Sequence, residues 1–229
     1  MKEIICSICL GNDIDNLKGC SNDAIMYYNY ILKLSDDSDM NEIWLKPKIL
    51  LNKNVVEDNI LKIISDMIGK FDKLLIIYSG HGFMNGNIGI NSTNSNYISD
   101  IHFLKNINNI LKKPIDLYII LDCCYSGSFR LIPYKNFNNI KLISSTTSIQ
   151  PSNESLNSID NLDSELKNNI SVINKNVTTG VFTYNFITQL HRKKYKSINQ
   201  WGEFILDKLF KPIWNSIEKI ANQIPKIIW

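Results

Sequence analysis

The chain has 229 residues, a formal net charge of +3, and hydrophobic and charged shares of 44% and 21%, as expected for one soluble globular α/β domain with a buried core. Its lysines are dispersed rather than gathered into a stripe, which argues against a nucleic-acid partner, and no apolar run approaches the ~20 residues of a membrane span. Five cysteines, two of them adjacent, make a poor disulfide framework and point to a reducing, cytoplasmic setting, where the glycosylation-type sequences at Asn91, Asn153, Asn169 and Asn176 are chance products of an Asn-rich composition.

Residues 3–10 read as a strand rather than a signal peptide, because Glu3 interrupts the apolar stretch. A helix follows over about 23–34, then a second strand over 43–51. A helix over 55–68 carries apolar residues at Val56, Ile60, Ile63, Ile64 and Ile68. Residues 74–78 form a buried central strand that runs into Ser-Gly-His-Gly, and residues 115–121 form another that runs into Asp-Cys-Cys-Tyr-Ser-Gly. Residues 140–144 are the fifth strand. From 150 to 179 the chain is polar and without period, as a mobile surface loop would be. Helices over 181–192 and 201–220 close the chain. The alternation predicts a single α/β domain over 1–229, a three-layer α/β/α sandwich with a mostly parallel central sheet.

In such sheets the carboxyl ends of the strands border the ligand crevice. Two central strands deliver His81 and Asp122-Cys123-Cys124 to that edge, each beside residues that permit tight turns: Gly80 and Gly82, Ser126 and Gly127. An imidazole and a thiol at one edge are the minimum for nucleophilic acyl transfer. Strand alternation puts Asp122 and Cys124 on one side and turns Cys123 towards the core. Cys6-x-x-Cys9 has redox spacing but lies within a predicted strand and has no second ligand pair, so it reads as packing. His102 and His191 fall in predicted helices without evident partners and read as surface.

YSGHG at 78–82 and LDCCYSG at 121–127 resemble the two catalytic signatures of metacaspases, caspase-like cysteine peptidases. Three further stretches match in order: LKGCSNDA at 17–24, GVFTYNF at 180–186 and NQIPKIIW at 222–229. The resemblance covers nearly the whole chain without a prodomain. It implies a caspase-like fold with a large-subunit-like region over 1–150, a polar loop over 151–179 and a small-subunit-like region over 180–229. It implies that His81 and Cys124 form the dyad, with the backbone amides of Gly82 and Cys124 stabilising the oxyanion. It also implies that Cys20, Asp23, Ser79 and Asp122 line the pocket for the residue before the cut bond. Two carboxylates there select Arg or Lys and repel Asp. The implied protein is a monomer acting on peptide or protein substrates.

Metacaspases commonly use acidic residues after the His and the Cys to bind calcium. In this chain Asp100 is the sole carboxylate of residues 82–100, and no acidic residue lies between Asp122 and Glu154. A hard cation wants several oxygen ligands, so no metal and no cofactor is expected. Tyr125 stands where the family often has His. Lys167 and Lys175, in the polar loop, are candidate self-cleavage points. The competing readings are a catalytically silent regulator and a peptidase cutting after Asp.

Overall fold

The computed structural model describes residues 2–37, 42–92, 95–194, 197–201 and 226–228. The elements run β1 (Ile4–Gly11), α1 (Cys20–Ser35), β2 (Ile43–Trp44), β3 (Lys48–Leu51), α2 (Glu57–Asp66), β4 (Lys73–Ser79), β5 (Gly82–Phe83), β6 (Asn87–Ile88), β7 (Ile98–Ser99), α3 (Asp100–Ile110), β8 (Ile115–Asp122), β9 (Phe137–Ser144), β10 (Glu154–Ser158), β11 (Asn176–Gly180), α4 (Val181–Lys193) and β12 (Lys226–Ile228). The expected helix over 201–220 lies outside the described residues, apart from Trp201.

The main sheet has the order β12-β9-β8-β4-β1-β2, with β3 also paired to β1. All its pairings are parallel except that of β12 with β9. The expected strand over 43–51 is instead two short strands, both on β1. Pro47 lies between them, and a residue with no N–H cannot continue the ladder.

Every residue of β4 is buried, because both faces of the sheet are covered and the strand must be apolar on each. Alternation sorts the side chains. Ile5, Cys9, Leu75, Ile77, Tyr118 and Ile120 pack on one face against α1 and α4, among Tyr27, Ile31, Phe182 and Phe186. Cys6, Ile8, Leu74, Ile76, Leu117 and Ile119 pack on the other, against α2 and α3, among Ile60, Ile64, Phe103 and Leu104. Cys6 and Cys9 are buried free thiols, and burial pushes the Cys6 thiol up to about 11 and Cys9 higher still. Their role is packing.

The same parity fixes the chemistry at the carboxyl edge. Ser79, Asp122 and Cys124 continue the series that faces α1 and α4, whereas Cys123, 1% exposed, continues the series that faces α2 and α3. Strand β1 sends the chain outward to β2 and β3, and β4 resumes on its other side. The sheet therefore reverses direction next to the strand that carries His81, where open α/β sheets form crevices.

The polar segment over 151–179 is not a free loop. Strands β10 and β11 pair antiparallel within it, from Glu154 opposite Gly180 to Ser158 opposite Asn176. Leu162, Leu166 and Val177 anchor it in the core beneath α1 and α4. His191 is not a surface residue: its ring is 13% exposed, with Nδ1 2.8 Å from Asp163 and Nε2 2.7 Å from Glu165. Glu165 also meets Lys33 at 2.8 Å, and the lysine ammonium holds its carboxyl below the ordinary value. His102 is exposed as expected and packs beside Asn106 and Glu57. Among the described residues no helix is long and apolar enough to cross a membrane.

Candidate active site

Gly80, His81 and Gly82 carry the chain off the end of β4. A side chain at position 80 would strike the Tyr78 ring, and one at position 82 would overlap the Cys124 carbonyl. The glycines therefore let the His81 turn lie directly on the Cys124 turn. The His81 carbonyl accepts hydrogen bonds from the Tyr78 hydroxyl (2.9 Å) and the Gly89 N–H (2.8 Å), which fixes the backbone that carries the ring. Its Nε2 lies 2.8 Å from the Ile14 carbonyl, just beyond β1. A carbonyl can only accept, so Nε2 holds the proton and Nδ1 is left as the basic nitrogen.

Cys124 is half-buried, the one free cysteine of the five that is not fully buried. The Ser152 N–H donates to its sulfur at 3.3 Å. Tyr125 follows with φ 54°, a left-handed conformation uncommon for a bulky residue, and turns the chain into the short 3₁₀ turn Ser126–Ser128. The Tyr125 N–H donates to the Gln150 carbonyl at 2.8 Å. Residues 150–154 thus lie across Cys124 as a strap.

At the carboxyl edge opens a cavity of about 100 Å³ lined by Cys20, Asp23, Ser79, His81, Asp122 and Cys124, together with Ser152, Glu154 and Gly180. The four pocket residues expected from the sequence are all in it. Asp23 enters from the first turn of α1 and accepts from the Ser79 hydroxyl (2.7 Å) and the Gly180 N–H (2.9 Å). Asp122 accepts from the Thr183 N–H (3.0 Å) and hydroxyl (2.7 Å) at one oxygen and from the Ser152 hydroxyl (2.8 Å) at the other. Burial pushes both carboxyls above their ordinary value, and for Asp23 the nearby Asp122 adds to it. Hydrogen bonds from Ser79, Gly180, Thr183 and Ser152 oppose the shift. Gly180 sits between the two acids: any side chain there would run into Asp122.

Sequence reasoning does not assign Glu154, Ser152, Gly180, Thr183 or Ile14 to the site. Glu154 brings a third carboxylate and accepts from the Gly19 N–H (2.7 Å) and the Lys18 N–H (3.1 Å), tying β10 to the start of α1. Its one visible signal is that it is the first acidic residue after Asp122. Among the lining residues none is Lys or Arg.

Asp100 is fully buried and is held by Arg130, through Nε (2.7 Å), Nη2 (2.7 Å) and the backbone N–H (2.8 Å). Among the described residues no group of three or more His, Cys, Asp or Glu side chains could hold a metal ion. Lys167 and Lys175 lie outside this cavity. Lys175 is exposed and Lys167 half-buried.

No family model matches the sequence, and no curated protein matches it. Solved structures do. The chain is similar to caspase-1 from Spodoptera frugiperda, at a TM-score of 0.56 and 13% identity over 100% of this chain and 88% of that one. It is also similar to the structure of pro-sf-caspase-1, at a TM-score of 0.50 and 14% identity over 99% of this chain and 90% of that one. The fold is caspase-like: a mostly parallel central sheet with helices packed around it.

Proposed function

We propose that the protein is a metacaspase-like cysteine endopeptidase that cleaves peptide bonds after Arg or Lys. The observation that carries this reading is the shared cavity in which His81 and Cys124 stand beside three carboxylates and no Lys or Arg. In the proposed reaction a substrate side chain of Arg or Lys enters between Asp23 and Asp122, with Cys20 and Ser79 on the wall. Nδ1 of His81 takes the Cys124 proton, and the thiolate attacks the carbonyl carbon. The backbone amides of Gly82 and Cys124 are assigned to the developing oxyanion. The imidazolium returns its proton to the leaving amine, the C–N bond breaks, and a thioester remains. Water, deprotonated by the same imidazole, then releases the acid. The Ile14 carbonyl keeps the ring in the tautomer that both steps need.

The test is turnover of matched fluorogenic peptides ending in Arg, Lys or Asp. Arg and Lys peptides are cut, and Asp peptides are not. Cys124→Ala and His81→Ala each abolish turnover and remain folded, whereas Cys123→Ala, altered on the core side of the strand, retains most of it. Asp122→Asn or Asp23→Asn costs roughly 2–5 kcal/mol in transition-state binding of the Arg peptide. Equal turnover of Arg and Asp peptides would exclude the cationic-guest reading.

We read the enzyme as independent of calcium. Both oxygens of Asp100 already accept hydrogen bonds from Arg130, and Asp163 and Glu165 face His191, so these carboxylates are engaged elsewhere. Turnover of the Arg peptide in EGTA and in millimolar calcium is expected to agree within about twofold. A steep rise with calcium would reverse this.

Self-cleavage is read at Lys175 ahead of Lys167, with the cut made by a neighbouring molecule. Lys175 is exposed, and β11 begins at the next residue and ends at Gly180 in the pocket. Five extended residues span about 16 Å, so Lys175 reaches its own Cys124 only if β11 is stripped from β10. Lys167 follows the core residue Leu166 and is held back accordingly. The expected result is a cleavage rate that rises with protein concentration, mapped by mass spectrometry to the bond after Lys175 and absent in Cys124→Ala. A rate independent of concentration would point to opening of β11 and a cut within one chain. We assign the protein to a reducing cytoplasmic compartment, acting as a monomer.

A further inference from the structure

The His81 and Cys124 turns meet where the Gly82 backbone abuts the Cys124 carbonyl. The ladder between β4 and β8 runs up to Ser79 opposite Asp122, and the Gly80 N–H donates to the Asp122 carbonyl at 3.3 Å, so the two turns are held together at their bases. A second set of contacts lies farther along both chains. The Gly86 N–H, five residues beyond His81, donates to the Ser128 hydroxyl at 3.0 Å. That hydroxyl donates at 2.7 Å to the carbonyl of Tyr125, the residue that follows Cys124. Gly86 also lies against the Asp100 carboxylate, leaving no room for a side chain. Asp100 accepts from Arg130 at both oxygens and from the Ile101 N–H at 2.6 Å.

We infer that Asp100 and Arg130 are positioning residues for the dyad, their ion pair acting with Ser128 to clamp the turn after Cys124 onto the hairpin after His81. The inference rests on the reading of His81 and Cys124 as a working pair. The Asp100 side chain is fully buried while Arg130 is 56% exposed, an uneven arrangement. The exposed guanidinium is the neutralising partner of a buried acid that the fold holds against Gly86. Asp100 begins α3 and Arg130 follows the Ser126–Ser128 turn, so the pair joins the segments that follow the two halves of the dyad. An arginine suits the place because its planar fork grips both carboxylate oxygens while its backbone N–H adds a third bond. The clamp lies outside the acidic cavity and so governs alignment of sulfur and imidazole without touching the guest side chain.

The test has two readouts, and one of them needs no peptidase activity. The first is kcat and KM for the Arg peptide. The second is the pH profile of Cys124 alkylation by iodoacetamide, followed by mass spectrometry of the Cys124 peptide, with thermal melting measured alongside. Arg130→Gln keeps hydrogen-bond donors but removes the charge. It is expected to lower kcat roughly 10- to 100-fold, the effect of about 1 Å of misalignment, with KM within about twofold. The alkylation profile departs from that of the wild type, because the imidazole no longer stands in place beside the sulfur. Arg130→Lys, which keeps the charge without the fork, falls between. Ser128→Ala shifts both readouts in the same direction by less. A role confined to stability would lower the melting temperature and leave the kcat–KM split and the alkylation profile at wild-type values in folded protein; that result overturns the clamp. If the wild type cuts no peptide, the endopeptidase reading fails while the alkylation profiles still decide on the clamp. Should Arg130→Gln not fold, Arg130→Lys and Ser128→Ala supply the same two readouts and decide between the outcomes.

Discussion

Two carboxylates buried side by side are expensive, since the desolvation of a single ion costs several kcal/mol before any repulsion between the pair is counted. Asp23 and Asp122 are in that position, and their surroundings are organised to offset the cost. Ser79 comes from β4, Gly180 from the end of β11, Thr183 from the first turn of α4, and Ser152 from the strap over Cys124. Each donor arrives on a different segment, so the pair can be satisfied only when all of those segments are docked. The acidic pocket and the closure of the α1–α4 face of the sheet are one and the same requirement.

That dependence explains which parts of the site are legible in the sequence. His81 and Cys124 announce themselves locally, because a histidine or cysteine in a turn with small residues at the end of an apolar strand leaves a short signature. The period of two does the rest: it separates Cys124 from Cys123 and puts Ser79 and Asp122 on the side facing α1. The donors to the carboxylates leave no such trace. Ser152 and Gly180 contribute through position, and Asp23 meets Gly180 across 157 residues of chain.

The segment over 151–179 shows the limit most plainly. Its polarity and lack of period predict mobility, yet three apolar residues, Leu162, Leu166 and Val177, suffice to pin it. Single anchors at irregular spacing form no helical or strand pattern. His191 reads as surface for the same reason, since its two acidic partners sit on that segment. Asp100 stands out as a lone acid in a stretch where an ion site would be sought, but its partner Arg130 lies 30 residues on, and no spacing rule connects them. The mostly parallel α/β sheet, by contrast, follows from strand and helix periods that are present in each element taken alone, and its caspase-like form is implied only by the resemblance of the short signatures.

The raised proton affinity of Asp23 and Asp122 has a thermodynamic corollary. A carboxyl that binds its proton more tightly in the folded chain than in the unfolded one contributes less to stability as the pH climbs out of the ordinary carboxylate range. Burial therefore favours retention of a proton by the pair, with Ser79, Gly180, Thr183 and Ser152 limiting how far. A guanidinium or ammonium group entering between them reverses the balance, because an adjacent positive charge stabilises the ionised form. Uptake of such a cation and loss of the proton would be two sides of one equilibrium, as in a weak-acid ion exchanger. On the proposed reading, affinity for a cationic guest would rise with pH over the range in which the pair ionises, independently of what His81 and Cys124 go on to do.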